Sequence, residues 1–217
     1  MSTRVFYALP LLLRMTATEK IYDPDWRDRL WQRWHGVDVE GIIPLADMMS
    51  MDQAASARAT FYQPIPIRFL KRILKAARKT KIPFRNFVDL GCGKGKAVLY
   101  MGRSGAFRRS VGVDIARDLL DIARHNRALA GGMMPIDFIE TDAQRFLLPD
   151  GETLIFLFNP FDAVAIERFV RFNEAHFRRY RSVIAYAFDI EREALAGLGF
   201  ETLWRDGPKR LSFHAMP

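Results

Sequence analysis

Short apolar runs alternate with segments of helical periodicity from residue 86 onward, and this alternation constrains the fold more than any other feature. The apolar runs predict strands, and they are "FVDL" (87–90), "SVGVD" (110–114), "DFIETD" (137–142), "TLIFLFN" (153–159) and "SVIAYAF" (182–188). Helices are predicted over 95–104, 117–130, 162–180 and 191–198. Strands that alternate with helices form right-handed βαβ units. The pattern therefore predicts an α/β fold with a mostly parallel sheet, and the final runs "FETLW" and "LSFHAM" predict an antiparallel edge hairpin.

The numbers of cysteines and histidines and the lengths of the apolar runs bear on the cellular location of the protein and on whether it binds a metal. Cys92 is the only cysteine among 217 residues and the four histidines are scattered, so we predict no disulfide, no metal site and a cytoplasmic location. The apolar run Val5–Leu13 is interrupted by Pro10 and followed by Arg14, which fits a segment packed on the domain better than a signal peptide. No run approaches the roughly 20 apolar residues of a membrane span.

The first 60 residues are the least regular part of the chain, and we predict that they form a helical extension and lid over a domain comprising residues 61–217. Within them, "DPDWRDRLWQRW" places Trp26, Leu30 and Trp34 on one face of a helix that begins after Asp25 and ends at Gly36. We interpret this face as one that packs on the core, and a binding site is the alternative.

A second helix, predicted within "RFLKRILKAARKTK" (68–81), carries seven basic residues and no acidic one. Its apolar stripe of Phe69, Leu70, Ile73, Leu74 and Ala77 is expected to be buried. The basic side permits nucleic acid or an acidic protein as a partner, and a solvated face is the alternative.

A glycine-rich loop follows the first strand. Its glycines are Gly91, Gly93 and Gly95, with Cys92 and Lys94 between them. A phosphate-binding P-loop requires a hydroxyl residue after the Gly-Lys pair, where this chain has Ala97. A dinucleotide loop requires a third glycine or alanine where this chain has Lys96, and Asp89 would repel a pyrophosphate.

S-adenosylmethionine fits the same residues better, because it carries an ammonium group and no phosphate. Asp89 can accept hydrogen bonds from the ammonium group, and Asp114, at the end of the second strand, can accept from the ribose hydroxyls. Asp142, at the end of the third strand, can accept from the adenine amino group beside the Ala143 amide, with Ile115 against the ring. The glycines and Cys92 then supply backbone that closely approaches the methionyl and ribose parts.

The segments "VDLGCGKGKAVLYM", "VGVDIA", "IETDAQRF" and "FLFNPF" resemble motifs I, post-I, II and IV of the class I S-adenosylmethionine-dependent methyltransferases. Within that superfamily the chain is similar to bacterial members with a D-L-G-C-G-K-G loop and a later N-P-F. The resemblance covers about residues 60 to 215. It implies a Rossmann-like seven-stranded sheet of order 3-2-1-4-5-7-6 with helices on both faces and strand seven antiparallel.

The methyl acceptor is less well defined by the sequence. Asn159, Pro160 and Phe161 resemble the [DN]-P-P-[YF] motif of amino-group methyltransferases but lack its second proline, so they either contact the acceptor or shape the cofactor pocket. Asp162 is a candidate base or a helix N-cap. Tyr62 is predicted to bind the cofactor carboxylate or to line the acceptor channel.

These residues lead to three hypotheses on function. The first is methyl transfer to a nitrogen or oxygen of a protein side chain or small molecule. The second is an RNA or DNA methyltransferase, and the third is an inactive cofactor-binding partner subunit.

Overall fold

The computed structural model describes residues 24–48, 61–131, 134–158 and 160–217. Its strands are β1 (Asn86–Leu90), β2 (Arg109–Asp114), β3 (Ile136–Glu140), β4 (Thr153–Phe158), β5 (Val183–Ala187), β6 (Glu201–Asp206) and β7 (Leu211–Ala215). Its α-helices are α1 (Trp26–His35), α2 (Ile67–Lys79), α3 (Lys96–Arg103), α4 (Arg117–Ala130), α5 (Ala163–Phe172), α6 (Glu174–Arg179) and α7 (Arg192–Gly197). Short 3-10 helices lie at Leu45–Asp47, Ala143–Arg145 and Gly207–Lys209.

The seven strands form one sheet of order β3-β2-β1-β4-β5-β7-β6, which confirms the predicted fold and strand order. The first five strands are parallel, and β7 is antiparallel to both of its neighbours. β1, β5 and β7 are buried along their whole length, because helices or neighbouring strands cover both faces. β6 forms the exposed edge.

Two apolar clusters, one on each face of the sheet, form the core. One face is covered by α2, α3 and α4 around Leu70, Leu99 and Leu120. The other is covered by α5, α6 and α7 around Phe169 and Leu195. Within the ranges given above, no helix is long and apolar enough to cross a membrane.

The helix predicted over 162–180 is two helices, α5 and α6, and the prediction of one continuous helix is wrong. Asn173 interrupts it with φ −108° and ψ 19°. Its buried side chain accepts a hydrogen bond from the Leu148 amide (2.9 Å) and donates to the Phe146 carbonyl (2.9 Å). Because these bonds tie Asn173 to the loop after β3, tertiary contacts take precedence over helix continuity here.

The predicted packing of the tryptophan face of α1 is also wrong. Asp25 caps this helix and Gly36 ends it, as predicted. However, Trp26, Leu30 and Trp34 are exposed to solvent, whereas Asp28 is fully buried on the opposite side. Trp31, one turn after Asp28, is the tryptophan of α1 that packs against the core.

The residues between α1 and α2 that the structure describes lie on the sheet domain. Val37 and Val39 belong to the same apolar cluster as α2 and α3. Ile43 pairs with Tyr62 in an antiparallel bridge. The division into an extension of residues 1–60 and a domain of 61–217 stays a prediction, since residues 1–23 and 49–60 lie outside the described ranges.

The basic helix α2 buries Phe69, Leu70, Ile73 and Ala77, and Leu74 is partly buried against the same cluster. Its predicted stripe is therefore confirmed.

Candidate functional site

The predicted site residues converge where the carboxyl ends of the parallel strands meet. Asp89 lies within β1, Asp114 ends β2 and Asp142 follows β3. β1 lies between β2 and β4, so the loop after β1 is flanked by the loops after those two strands. In open α/β sheets this edge is the usual ligand site.

The glycine loop requires glycine because other groups approach it closely. Gly91 has φ +81°, and a Cβ atom built there would lie 2.6 Å from the Pro160 Cβ atom. Gly93 has φ +50°, and a Cβ atom there would overlap the Tyr62 ring. The loop therefore lies between Pro160, which follows β4, and Tyr62, which precedes α2. A larger residue at either glycine would displace one of them.

Asp114 holds the glycine loop through backbone amides. Its carboxylate accepts from the Gly93 amide (2.8 Å) and from the Ala116 amide (2.9 Å). Burial raises the pKa of Asp114, while these amide bonds oppose that rise. Each carboxylate oxygen can accept a second hydrogen bond, so the group keeps capacity for a ligand. Ile115, partly buried, follows it directly.

Asp89 is a buried carboxylate for which the described part of the chain provides no hydrogen-bond donor. Its exposed fraction is 3%. Burial, and then the negative charge of Asp114, raise the pKa of Asp89 well above its usual range. Buried carboxylates in proteins are normally paired, and an unpaired one is costly in free energy. Because Asp89 lies beside a second acid, a cationic hydrogen-bond donor such as an ammonium group would bind it favourably.

Asp142 and Ala143 lie at the next strand end. The Asp142 carboxylate accepts from the Gln144 amide (2.9 Å) and from the Gln144 side chain (3.2 Å), and so it caps the short helix at Ala143–Arg145. Ala143 is buried. As with Asp114, the bonds within the protein orient the carboxylate and leave lone pairs for a further donor.

The residues predicted on the acceptor side differ from one another in what they contact. Asn159 lies outside the described residues. Pro160 faces Gly91, and Phe161 is buried in the apolar cluster of α5. Asp162 caps α5 by accepting from the Ala165 amide (2.9 Å). The structure therefore brings Pro160 to the loop and uses Phe161 and Asp162 to hold the start of α5.

Tyr62 lies over the loop with its ring and is anchored by its hydroxyl. The hydroxyl donates to the Val39 carbonyl at 2.8 Å, and the side chain is buried. Burial, followed by the charges of Glu40 and Asp38, raises the pKa of Tyr62 well above its usual range, so the phenol stays protonated. Its ring is thus placed to cover the loop, and its hydroxyl is engaged within the protein.

Sequence reasoning missed the contacts of Lys94, which lies within the loop, and of Lys96, which begins α3. Lys94 Nζ donates to both carboxylate oxygens of Asp38 (2.9 and 3.0 Å). Lys96 Nζ donates to Asp28 (2.8 Å) and Glu40 (2.6 Å). We call these five residues the lysine clamp. The signal in the sequence was the acidic run "DVE" before an apolar segment, but nothing in its spacing revealed partners more than fifty residues away.

The lysine clamp fastens the segment after α1 to the loop. Asn126 of α4 adds to it: its side chain donates to the carbonyls of Asp38 (2.6 Å) and Lys94 (3.1 Å) and accepts from the Asp38 amide (2.8 Å). The glycine loop is therefore held from three sides, by the N-terminal segment, by α4 and by β2. A site held in this way is preorganised before any ligand binds.

Residues 87–185 match the family model of a methyltransferase domain, which spans the loop and all three acids. A comparison with curated proteins finds no match. The matched region begins in β1 and ends in β5, so it contains the five parallel strands of the sheet.

Similar solved structures include an RNA methyltransferase from Salinibacter ruber in complex with S-adenosyl-L-homocysteine, with 21% identity over 70% of this chain and 92% of that one and a TM-score of 0.46. A TehB-like SAM-dependent methyltransferase from Corynebacterium glutamicum has 16% identity over 68% and 87%, with a TM-score of 0.46. A ribosomal protein L11 methylase from Lactobacillus delbrueckii has 17% identity over 66% and 74%, with a TM-score of 0.45. At such identities the likeness concerns the fold alone.

We predict that Lys96→Met lowers the free energy of unfolding by about 3–5 kcal/mol, because it leaves the fully buried Asp28 without its cation. Lys94→Met is the matched control, with an expected loss of about 1 kcal/mol, since the side chain of its partner Asp38 is largely solvated. Urea unfolding of the two variants measures the difference. Equal losses would contradict the assigned importance of the Lys96–Asp28 pair.

We predict that Asp89→Asn stabilises the ligand-free protein above neutral pH. Because the folded state raises the pKa of Asp89, its contribution to stability is complete below the pKa of the unfolded state and is lost as pH rises through the folded pKa. Asparagine has the same shape and no charge. At pH 8 the variant should melt at least about 2 °C above the unaltered protein, the change that roughly 1 kcal/mol produces in a chain of this size. The gap should close at pH 4, and a gap independent of pH would mean that Asp89 does not titrate as described.

Proposed function

We propose that this chain, which carries a methyltransferase domain over residues 87–185, transfers a methyl group from S-adenosylmethionine to a nitrogen or oxygen of a protein side chain or small molecule. The enzyme class and the cofactor follow from the matched domain. The acceptor and the roles of individual residues are our proposal, as is a reaction in the cytoplasm. We place the chain with class I members that have a D-L-G-C-G-K-G loop and an N-P-F segment.

The observation that carries the proposal is the buried Asp89 beside Asp114. An enzyme that binds a pyrophosphate would gain nothing from two buried acids at this edge. A ligand with an ammonium group would supply a donor that the described residues do not give Asp89, and it would offset the cost of burying this carboxylate. The residues present therefore fit the amino-acid end of S-adenosylmethionine.

We assign the remaining polar contacts of the cofactor to carboxylates that can accept a further hydrogen bond. Asp114 would accept from the ribose hydroxyls with the lone pairs that the Gly93 and Ala116 amides leave. Asp142 would accept from the adenine amino group, beside the Ala143 amide and the apolar side chain of Ile115. Gly91, Gly93, Gly95 and the backbone of Cys92 would allow close approach of the methionyl part. When bound, the cofactor supplies a methyl group that its sulfonium already activates.

Methyl transfer is an in-line displacement at that methyl carbon. The bound cofactor would supply the methyl group and keep the electrons of the broken carbon–sulfur bond, and the acceptor would give up a proton to solvent or to a base. The chain's residues chiefly align the acceptor and exclude water. Tyr62 and Pro160 would do so by covering the loop, and Asn159 would orient the acceptor. Asp162, which caps α5, would be the candidate base.

Two observations favour a side chain or small molecule as acceptor. The Tyr62 ring lies against Gly93 and Pro160 lies against Gly91, and we propose that the acceptor enters on the Pro160 side of the loop. A base within a nucleic acid would first have to be extruded, at a cost of a few kcal/mol. The missing second proline after Asn159 also departs from the motif of adenine and amide methyltransferases. The basic surface of α2 is the observation that favours the nucleic-acid alternative, whereas the intact glycine loop and the three acids argue against an inactive subunit.

We expect Asp114→Ala to reduce the affinity for S-adenosylhomocysteine by at least about tenfold, because hydrogen bonds to a charged group contribute about 1.5–3 kcal/mol. Asp121→Ala is the matched control: it removes an exposed carboxylate from α4 with the same change in net charge. Calorimetry measures both affinities, and circular dichroism checks that the fold is retained. Unchanged affinity in Asp114→Ala would contradict the ribose contact.

The acceptor class can be tested with methyl-tritiated S-adenosylmethionine. A lysate labelled with the purified protein, then separated into protein, RNA, DNA and small-molecule fractions, should carry label in the protein or small-molecule fraction. Asp89→Asn serves as the control, since we expect it to fold and to lose labelling. Label confined to RNA or DNA would replace the proposed acceptor with the nucleic-acid alternative.

A further inference from the structure

Helix α1 carries an apolar ridge that the methyltransferase site does not use. Trp26, Leu30 and Trp34 are exposed by 59%, 52% and 80%, and they lie on one helical face at successive intervals of four residues. At 1.5 Å per residue the ridge extends about 12 Å along the helix. We call these three side chains the tryptophan ridge. Exposing two tryptophans and a leucine side by side is unfavourable in water and marks a surface that meets an apolar partner.

Basic side chains lie beside the tryptophan ridge on α1, and α2, whose first residue bonds to the buried Asp28 on the opposite side of α1, carries more. Those exposed on α1 are Arg27, Arg29 and Arg33, and those exposed on the neighbouring α2 are Lys71, Arg72, Lys75, Arg78 and Lys79. The two helices adjoin where Arg68 approaches Asp25 at 3.8 Å.

Acidic groups offset only a small part of this charge. α2 contains no acidic residue, and Asp28 of α1 is buried against Lys96. Among the described residues, Asp25 pairs with Arg27 at 3.4 Å and with Arg68 at 3.8 Å, and Asp206 pairs with Arg72 at 2.6 Å. The surface of α1 and α2 therefore combines an apolar ridge with excess positive charge.

We propose that this surface docks on an anionic lipid bilayer, with the tryptophan ridge in the boundary between headgroups and acyl chains. A helix with large apolar side chains on one face and arginine beside them is the composition of an interfacial helix, and tryptophan favours that boundary. Lysines of α2 would approach the anionic headgroups, whose attraction for basic residues acts over about a Debye length. The docking requires no transmembrane helix.

The charge of the surface distinguishes a bilayer from other partners. A second copy of the chain would bring the arginines of two α1 helices together, and like charges oppose such contact. Single-stranded RNA would satisfy the charge and could stack on tryptophan, but Leu30, in the middle of the ridge, has no flat face for a base. An anionic bilayer accommodates all three apolar residues and the charge around them.

The test uses the full chain and vesicles of phosphatidylcholine alone or with roughly one third phosphatidylglycerol. We expect the protein to sediment with the anionic vesicles and to show a blue shift of tryptophan emission. It should not bind the neutral vesicles, and high salt should release it. Trp26→Ala combined with Trp34→Ala should lower the vesicle partition coefficient at least tenfold. Alanine is a strong helix former, so α1 should persist, and circular dichroism checks this.

The matched control is Trp204→Ala, which removes a tryptophan exposed by 38% on β6, away from the ridge, and should leave partition within about twofold. Equal loss in the control and the double variant, or no binding of the unaltered protein, would overturn the proposal. So would tryptophan-dependent binding to a uridine homopolymer without vesicle binding, or a dimer in light scattering that Trp34→Ala dissociates. Trp34 could also be protected from quenching by acrylamide in the full chain and lose that protection when residues 2–14 are deleted. This result would instead assign the ridge to a contact with the chain's own N-terminus.

Discussion

The ion pair between Lys96 and Asp28 connects the parts of this molecule that matter most for its function. Both side chains are buried, and Asp28 also accepts from the Ile67 amide (2.8 Å), which begins α2. One carboxylate thus joins α1, α2 and the start of α3, directly after the glycine loop. Because removing one member of a buried pair costs far more than a surface pair contributes, this contact determines which side of α1 faces the protein. The opposite side, with Trp26 and Trp34, is left to solvent.

At the carboxyl ends of the strands, the residues that stabilise the glycine loop differ from the residue that we propose binds the ligand. Lys94, Lys96 and Asn126 hold the loop with well-formed hydrogen bonds, while the Oε2 atom of Glu40 is buried without a partner among the described residues. Asp89 differs from these residues, because it is buried beside Asp114 without a hydrogen-bond donor from the described residues. A group that lowers the stability of the ligand-free protein and is satisfied by ligand makes binding and folding mutually dependent. The loop is held by these contacts, and Asp89, a buried carboxylate without a donor from the described residues, lies beside it in β1.

Much of the fold could be predicted from the sequence, because each strand buried on both faces leaves a continuous apolar run and each helix a periodic one. Asn173 shows where local pattern failed: its side chain bonds to a loop more than twenty residues earlier, and no local signal reports that. In the candidate site, the three acids and the glycines were predictable, since each lies near or just after the carboxyl end of a strand. The lysine clamp was not, because its members come from segments far apart in the chain.

The sequence by itself determined the order of strands and helices, the glycine loop and the acids that end the first three strands. These are local features: periodicity, turn chemistry and the position of a residue after a strand. Only the tertiary structure decided that Asp28, and not the tryptophans, is the buried side of α1. The physical reason is that a carboxylate can be buried when a lysine and two backbone amides meet it, and those donors, Lys96, Ile67 and Asp25, come together only in the folded chain.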